Sequence, residues 1–369
     1  MRLAAYNVEN LFDRAKIMLL EDWSDGREVL EDFAEANDIL GEQTYSDAAK
    51  DKLAELLIDL GLEKSDESTY VILRRNRGEL LKRPRTGGIE IVANGRADWV
   101  GSLELKDAPV DHESMLNTAR VMKDLDADVL GVVEAESRPV LAQFNKDIVT
   151  AVGGTPFNHV MVIDGNDTRG IDVGVMTKKG FPIVSMVSHV DDKKGEDPIF
   201  SRDCPEYFIA TEDGNRLVVL VNHLKSKGYG APAASNARRL LQAQQIRKIV
   251  QALLDAGENY VAVVGDLNDT PDSDALEALT KDGFLRDAFE HDEFDDGGFE
   301  GTYGSSTARN KIDYLLLSPA LFAKVEKGGV IRKGMWPGKR PKKWDVYESL
   351  TLPVHAGSDH AAIWVDLDI

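Results

Sequence analysis

Residues 260–271 read YVAVVGDLNDTP, an apolar run followed at once by small polar residues. The run 260–264 is typical of a buried strand because it is short and rich in β-branched residues. Asp266 and Asn268 follow one residue apart, and positions i and i+2 of a strand project to the same side. Gly, Asp, Asn and Pro are also the ordinary residues of turns. The stretch alone therefore has two interpretations, a simple turn or a polar site at a strand end.

Short apolar runs of this kind alternate with helical patterns along the chain, for example the patterns over 47–60 and 233–256. No internal repeat or low-complexity tract interrupts them. This alternation predicts an α/β fold. No segment resembles a flexible linker, so we expect a single domain over 1–369 with a large insertion after the first strand.

The composition is that of a globular protein, with 369 residues of which 43% are hydrophobic. No stretch approaches the roughly eighteen consecutive apolar residues of a membrane span, and no signal-peptide pattern precedes the first apolar run. Cys204 is the only cysteine of the sequence, which excludes an internal disulfide and fits a reducing compartment. We therefore expect a cytoplasmic protein without a membrane span, and the sequence indicates no protein partner.

The net charge of −20 disfavours a protein that coats DNA generally. Two local runs are basic nonetheless. Residues 73–85 contain six Lys and Arg against one Glu, and residues 331–343 contain six basic side chains and no acid. Each run is either a solvated loop or a surface that faces an anion. In the second interpretation, Trp336 and Trp344 would stack on the bases of a nucleic acid.

Carboxylates, carboxamides and imidazoles follow or precede several of the apolar runs. Such side chains on strand-end loops commonly form the rim of an active site. The motifs are YNVEN with Asn7, VVEAE with Glu134, NHLKS with His223, GDLND with Asp266 and Asn268, KIDY with Asp313, and SDH with Asp359 and His360. Each motif alone is weak, but six of them in one chain favour a shared site over independent turns.

This ordered set of motifs resembles that of the exonuclease–endonuclease–phosphatase superfamily, and it extends from residue 3 to residue 366. The resemblance implies an α+β fold, a four-layer α/β/β/α sandwich of two mostly antiparallel sheets with outer helices. Residues 14–112 fit the family pattern poorly and are expected to form an insertion. Many members carry Gln before the metal-binding Glu, whereas Val133 stands at that position here.

The resemblance also implies a metal site. Glu134, Asn7 and Asp359 are the expected ligands. Their oxygen atoms are hard donors that suit Mg²⁺ or Mn²⁺ rather than zinc. The expected cofactor is therefore Mg²⁺ or Mn²⁺.

The catalytic residues implied by the resemblance are His360, Asp313, His223, Asp266 and Asn268. Asp313 would hold His360 for water activation or phosphate contact, and Asp266 is the rival base. His223 would stabilise the transition state or aid the leaving group. The candidates for substrate contact are Asn268, Asp172, Arg238 and Arg239, although a solvated helix face is an equally good interpretation of the two arginines.

The expected function is metal-dependent hydrolysis of a phosphodiester, by a nuclease that acts on DNA or RNA through water attack at phosphorus. The GDLNDTP form of the motif resembles that of bacterial nucleases more than that of inositol phosphatases, and the basic runs favour a nucleic acid substrate. The alternative is a phosphomonoesterase or phospholipid diesterase that uses the same centre. A third interpretation is a catalytically silent binding module.

Overall fold

The strands and helices of the computed structural model follow the apolar runs of the sequence. The structure describes residues 1–9, 11, 13–19, 26–167, 170–227, 232–338 and 343–369. The opening run forms a strand that continues to Asp266. The helix expected over 47–60 begins after Ser46, whose side chain accepts a hydrogen bond from the backbone N–H of Ala49, and it ends at Asp59.

The strands, in chain order, are β1 Arg2–Asn7, β2 Asp13–Ala15, β3 Val71–Gly78, β4 Leu81–Lys82, β5 Glu90–Ile91, β6 Trp99–Leu105, β7 Asp107–Pro109, β8 Val129–Ala135, β9 His159–Ile163, β10 Asp172–Thr177, β11 Ile183–Val187, β12 Lys193–Lys194, β13 Asp197–Pro198, β14 Glu206–Ala210, β15 Arg216–His223, β16 Tyr260–Asp266, β17 Arg286–Asp287, β18 Phe294–Asp295, β19 Asp313–Leu317, β20 Val325–Ile331 and β21 Ala362–Leu367. The α-helices are α1 Arg27–Gly41, α2 Asp47–Asp59, α3 His112–Leu125, α4 Arg138–Phe144, α5 Pro232–Asp255, α6 Asp274–Thr280 and α7 Pro319–Phe322.

Two large sheets form the body of a first compact unit, which comprises Met1–Phe12, Val110–Lys227 and Ser235–Ile369. The seven-stranded sheet has the order β18-β20-β21-β1-β8-β10-β9, and the six-stranded sheet has the order β11-β14-β15-β16-β19-β17. Most neighbouring strands are antiparallel. The parallel pairs are β18 with β20 and β1 with β8 in the first sheet, and β15 with β16 in the second.

The two sheets pack face to face through a buried apolar cluster to which both contribute, including Val133 and Val175 from one sheet and Val219 and Val264 from the other. Gly131 permits this close approach, since a Cβ at that position would lie 2.8 Å from Cγ2 of Val264. The outer face of the first sheet packs against α3 and α4, and that of the second packs against α5 and α6. The expected four-layer α/β/β/α sandwich is confirmed.

A second compact unit comprises Asp13–Pro109 together with 228–234, of which 232–234 are described. It has its own core, built from α1, α2 and the antiparallel pair of strands β3 and β6 around Trp99. The indole N–H of Trp99 donates to the hydroxyl of Tyr45 at 3.0 Å. The insertion expected over 14–112 stays a prediction. Across the described residues of both units, no helix is long and apolar enough to cross a membrane.

Candidate active site

The polar motif residues of the first unit meet where strands of its two sheets end. Asn7 ends β1, and Glu134 lies beside it near the end of the parallel strand β8. In the other sheet β15 and β16 are also parallel, with His223 paired to Asp266. β19 begins opposite Asp266, at Asp313. The topology therefore brings together residues that are far apart in the sequence.

Gly265 comes directly before Asp266 in β16 and allows this strand to pass close to β15. Its φ is 118°, and a Cβ at this position would lie 2.3 Å from the carbonyl oxygen of Asn222. Glycine is the residue that tolerates both conditions. The glycine of the GD pair is therefore required by the close approach of β16 to β15.

Three acidic or amide residues of the site region have left-handed backbone conformations. Glu9, Glu134 and Asn268 have φ values of 49°, 66° and 53°. Such conformations cost free energy in residues other than glycine, and they concentrate at functional sites. Glu9 and Asn268 lie two residues after β1 and β16, and Glu134 lies at a register shift near the end of β8.

His360 and Asp313 form a buried histidine–aspartate pair. Nδ1 of His360 lies 3.0 and 2.9 Å from the two carboxylate oxygens of Asp313, and the residues are only 6% and 3% exposed. Because a carboxylate only accepts, Nδ1 carries the proton and Nε2 faces the other site residues. Burial alone would lower the pKa of His360, but the charges of Asp313 and Asp359 raise it well above its usual value. The imidazole is therefore a strong proton acceptor.

Asp266 is buried and receives two hydrogen bonds from Asn268. The backbone N–H of Asn268 donates to Oδ1 at 2.8 Å, and the side-chain amide donates to Oδ2 at 3.1 Å. Burial, together with repulsion by Asp313, raises the pKa of Asp266 well above the ordinary range of a carboxyl group. A carboxyl group with a raised pKa is suited to exchanging protons near neutral pH.

The side-chain amide of Asn268 makes a second contact, with the carbonyl oxygen of Leu224 at 3.2 Å. Both amide hydrogens are thus engaged within the protein. The expected donation to a phosphate oxygen would have to replace one of these two hydrogen bonds.

Asn7 lies at the centre of the site. Its Nδ2 is 3.3 Å from Oε1 of Glu134, 3.5 Å from Oδ2 of Asp266 and 3.4 Å from Nε2 of His360. Its Oδ1 accepts the backbone N–H of Glu9 at 3.0 Å. The amide therefore connects the ends of both sheets.

His223 faces the same carboxylates from β15. Its Nε2 lies 3.8 Å from Oε1 of Glu134 and 3.6 Å from Oδ2 of Asp266. These distances are longer than hydrogen bonds. A protonated His223 would add positive charge where the carboxylates converge.

Two hydrogen bonds attach the SDH motif to the end of β1 and the residues after it, and a third lies within the motif. The hydroxyl of Ser358 donates to the carbonyl oxygen of Asn7 at 2.8 Å and accepts the backbone N–H of His360 at 3.0 Å. Oε2 of Glu9 accepts the backbone N–H of Asp359 at 3.0 Å. As a result Oδ1 of Asp359 lies 3.7 Å from Nε2 of His360.

The donor atoms of the site fit a divalent cation. Among the described residues, Asp266, Asp313 and His360 offer ligand atoms that all lie within 4.8 Å of one another. This cluster differs from the ligand set expected from the sequence, Glu134, Asn7 and Asp359, which stays a prediction. Oδ1 of Asp359 lies 3.7 Å from Nε2 of His360, and Nδ2 of Asn7 lies 3.4 Å from it. Repulsion by Asp313 and Glu134 contributes, after burial, to the raised pKa of Asp266, and a cation would relieve it. Oxygen donors of this kind match Mg²⁺ or Mn²⁺.

Arg239 is fully buried in the protein, contrary to the exposed position that a substrate contact or a solvated helix face would give it. From α5, its Nε donates to Oδ2 of Asp269 at 2.9 Å and its Nη1 donates to the carbonyl oxygen of Lys225 at 2.9 Å. These two residues belong to the loops that follow β16 and β15. Arg239 therefore joins two loops that carry site residues.

The other two candidates for substrate contact also bond within the protein. Arg238 is half-buried and donates to the carbonyl oxygen of Pro198. Asp172 is buried, and its Oδ1 accepts the backbone N–H of Gly165 at 2.8 Å. Burial raises the pKa of Asp172 to about 6. Their contact with substrate stays a prediction.

Ion pairs engage part of the basic run over 73–85, within the second unit. Arg74 pairs with Glu104, and both Arg75 and Arg83 pair with Asp66. Arg77, Lys82 and Arg85 are exposed.

The second basic run, over 331–343, lies partly outside the described residues, which exclude 339–342. Arg332 is buried and donates to the backbone carbonyls of Phe299 and Gly301. Trp344 packs edge-on against Phe299, with ring centroids 5.4 Å apart. Both residues therefore contribute to local packing in this segment.

Thr302 and Tyr303 contact the histidine–aspartate pair but were not predicted from the sequence. Thr302 hydrogen bonds to Asp313 at 2.6 Å, and the ring of Tyr303 lies 4.8 Å from that of His360. They belong to an irregular, Gly-containing segment without hydrophobic periodicity. Their position ten and eleven residues before Asp313 gives no local signal of this contact.

Comparisons with known proteins bear on the family and the fold of this chain. Residues 90–328 match the family model described as Endonuclease/Exonuclease/phosphatase family. The mannosyl-6-phosphatase of Bacteroides thetaiotaomicron has a TM-score of 0.52 and 17% identity, over 70% of this chain and 91% of that chain. An endonuclease/exonuclease/phosphatase family protein from the same organism has a TM-score of 0.49 and 18% identity, over 69% and 88% of the two chains.

The catalytic domain of human Nocturnin, solved with a bound sulfate, has a TM-score of 0.47 and 14% identity, over 69% of this chain and 85% of that chain. No curated protein matches the sequence. Members of the superfamily hydrolyse phosphoester bonds, typically with a divalent metal ion. The family match covers well over half of the chain, and the chain belongs to the endonuclease/exonuclease/phosphatase family.

Proposed function

We propose that this chain is a metal-dependent phosphodiesterase of the nuclease type, which cleaves DNA or RNA by water attack at phosphorus. The observation that carries the proposal is the environment of His360. Its Nδ1 is bonded to Asp313, while Nε2 lies between 3.4 and 3.9 Å from side-chain atoms of Asn7, Asp359 and Asp266. A basic imidazole nitrogen is thus directed at carboxylate oxygens of Asp359 and Asp266 and at the amide of Asn7, an arrangement that suits metal-assisted hydrolysis.

A bound Mg²⁺ or Mn²⁺, held by Glu134, Asn7 and Asp359, would stabilise the negative charge that develops on the phosphoryl oxygens. The side chains of the site divide the remaining tasks. Water forms a bond to phosphorus while the bond between phosphorus and the leaving oxygen breaks. The proton of the water passes to a base of the site, and a protonated His223 gives a proton to the leaving oxygen.

Two groups suit the role of the base. Nε2 of His360 is a strong acceptor because Asp313 stabilises the imidazolium. Asp266 is the second candidate, because its raised pKa brings its protonation equilibrium toward neutral pH. Asp266 and Nε2 of His360 lie 3.9 Å apart, so one water molecule can contact both groups.

Support for a nucleic acid substrate comes from the exposed cations of the second unit, Arg77, Lys82 and Arg85. Exposed Lys and Arg bind the phosphate backbone and make the affinity depend on salt. Arg74, Arg75 and Arg83 form ion pairs within the protein. The basic run therefore offers less positive charge to a nucleic acid than its sequence suggests.

The alternative is a phosphomonoesterase that uses the same centre. The Bacteroides thetaiotaomicron protein with a TM-score of 0.52 is a mannosyl-6-phosphatase, and it shares the fold with this chain. A substrate test must therefore include sugar phosphates as well as polynucleotides.

The test is a panel of esters with the full-length protein in Mg²⁺, Mn²⁺ or EDTA. The panel contains duplex and single-stranded DNA, RNA, mannose 6-phosphate, inositol phosphates and sphingomyelin. We expect metal-dependent cleavage of a polynucleotide, which His360→Ala abolishes. The matched control, His112→Ala, changes an exposed histidine at the start of α3 and should leave the rate unchanged.

Two outcomes would contradict the proposal. Cleavage of a phosphomonoester or a phospholipid alone would show that the nuclease assignment is wrong. If the protein hydrolyses none of the esters in the panel, its assignment as a phosphoester hydrolase is wrong.

A further inference from the structure

The segment 302–304 contacts both members of the histidine–aspartate pair. On the aspartate side, Oγ1 of the fully buried Thr302 donates to Oδ2 of Asp313 at 2.6 Å. The same oxygen accepts the backbone N–H groups of Ile312 and Asp313 at 3.2 and 3.1 Å. The hydroxyl hydrogen has one other acceptor in reach, the carbonyl oxygen of Asn310 at 3.4 Å. The charged and much nearer carboxylate is the stronger acceptor.

On the histidine side, the contacts come from the backbone and from an aromatic ring. The carbonyl oxygen of Thr302 accepts the N–H of Ala361 at 2.7 Å, and the N–H of Gly304 donates to the carbonyl oxygen of Asp359 at 2.8 Å. The ring of Tyr303 lies against the imidazole, with centroids 4.8 Å apart and planes inclined by 53°. The backbone around His360 is thus fixed by the segment whose first residue, Thr302, also contacts Asp313.

We propose that Thr302 is a positioning residue for phosphoester hydrolysis, whose hydroxyl fixes the orientation of the Asp313 carboxylate against Nδ1 of His360. This inference rests on the proposed function of the site. Thr302 acts through Asp313 and is separated from the substrate by it.

The physical reason is that a carboxylate turns easily about its terminal torsion, since that torsion has a broad profile. Both oxygens of Asp313 now lie within 3.0 Å of Nδ1. With the hydroxyl bond in place, one rotation of the carboxylate is favoured, and Nδ1 keeps the proton while Nε2 stays available. Without it, Oδ2 loses a charge-assisted hydrogen bond in a buried site, and the imidazole orientation is less well defined.

The first test compares Thr302→Val, which keeps the shape but removes the hydroxyl, with Thr302→Ser, which keeps the hydroxyl. We expect Thr302→Val to lower kcat by about 10- to 100-fold with KM nearly unchanged, and Thr302→Ser to recover most of that loss. Thr307→Val is the control, because Thr307 is an exposed threonine five residues after Thr302 and its hydroxyl bonds to Asn310. Wild-type kcat in Thr302→Val, or an equal loss in Thr302→Ser, would overturn the inference.

The second test separates positioning from general destabilisation by a double-mutant cycle. If Thr302 acts through Asp313, Thr302→Val should lower kcat little further in an Asp313→Asn background. If the loss of kcat in the double variant equals the product of the losses in the two single variants, Thr302 acts independently of Asp313. That result would overturn the inference.

The third test needs no substrate. ¹⁵N–¹H NMR of the full-length protein reports the Nδ1 proton of His360, which the bond to Asp313 should protect from exchange and shift downfield. We expect this resonance in the wild type and in Thr302→Ser, and its weakening or loss in Thr302→Val. An unchanged resonance in all three proteins would contradict positioning by Thr302. If the wild type hydrolyses no ester, the proposed function fails, whereas this spectrum still decides the role of Thr302.

Discussion

His360 and His189 both lie between carboxylates, but their ring nitrogens are used differently. His189 follows β11, and its Nδ1 lies 3.1 Å from Asp192 while its Nε2 lies 2.8 Å from Glu206. His360 has a carboxylate at hydrogen-bond distance of Nδ1 only. The contacts of its Nε2 are 3.4 Å or longer.

Under the proposed function, this difference separates a structural histidine, His189, from a catalytic one, His360. When both ring nitrogens are bonded to carboxylates, as in His189, the imidazole connects parts of the fold and has no nitrogen left for substrate. When one nitrogen is bonded and the other faces a polar site, as in His360, the bonded side sets the tautomer and the open side can move a proton. The number of histidine–carboxylate contacts alone would not distinguish the two.

The largest expected difference between the two regions is in the rate of hydrolysis after amide substitution of one carboxylate. Asp313→Asn keeps the shape but removes the charge that stabilises the His360 imidazolium, so kcat should fall by about 100- to 10,000-fold. Asp192→Asn makes the same chemical change beside His189 and should leave kcat within about twofold. Steady-state kinetics with saturating Mg²⁺ checks both. Comparable losses of kcat in the two variants would contradict the proposed difference between His360 and His189.

A smaller effect is expected on stability, from the titration of His189. Burial would lower the pKa of His189, but its bonds and charge contacts with Glu206 and Asp192 raise it above the usual value. Because the folded protein binds this proton more tightly than the unfolded chain, the stabilisation is fully present below about pH 6.5. It is lost as the pH rises through the raised pKa.

The matched variant for this prediction is His189→Gln, which replaces the imidazole by a polar amide that does not titrate. Urea unfolding at pH 6 and pH 9 should show that the wild type exceeds the variant by about 1 kcal/mol more at the lower pH. At urea concentrations too low to unfold either protein, the variant should hydrolyse the substrate at the wild-type rate. A stability difference between the two proteins that does not depend on pH would show that the ion pairs of His189 do not contribute as described.

The fold and the catalytic motifs were largely predictable, because both depend on local pattern. The apolar run before Asp266 indicated a strand, and the sequence order of the motifs indicated which strand ends would meet. The two β-sheets and their outer helices followed from the family resemblance. Within this frame, Asn7, Glu134, His223, Asp266 and Asp313 do lie close together.

The remaining features depend on contacts between distant residues. The pairing of Arg74 with Glu104 joins positions 30 residues apart, so the basic run does not show how much of its charge is neutralised. Arg239 is charged and lies on a helix, and only the positions of the Lys225 and Asp269 loops reveal why it is buried. Thr302 could not be recognised, since its role follows from the return of the chain into β19.

The comparison of the two histidines yields the most direct measurement of the central claim. Hydrolysis of bis-p-nitrophenyl phosphate should be followed with Mg²⁺ for the wild type, His360→Ala and His189→Ala, at a temperature where all three are folded. The proposed chemistry predicts metal-dependent hydrolysis that His360→Ala lowers by at least about 100-fold and that His189→Ala retains. Hydrolysis that survives in His360→Ala, or that is lost equally in both variants, would contradict the assignment of the active site to the strand ends around His360.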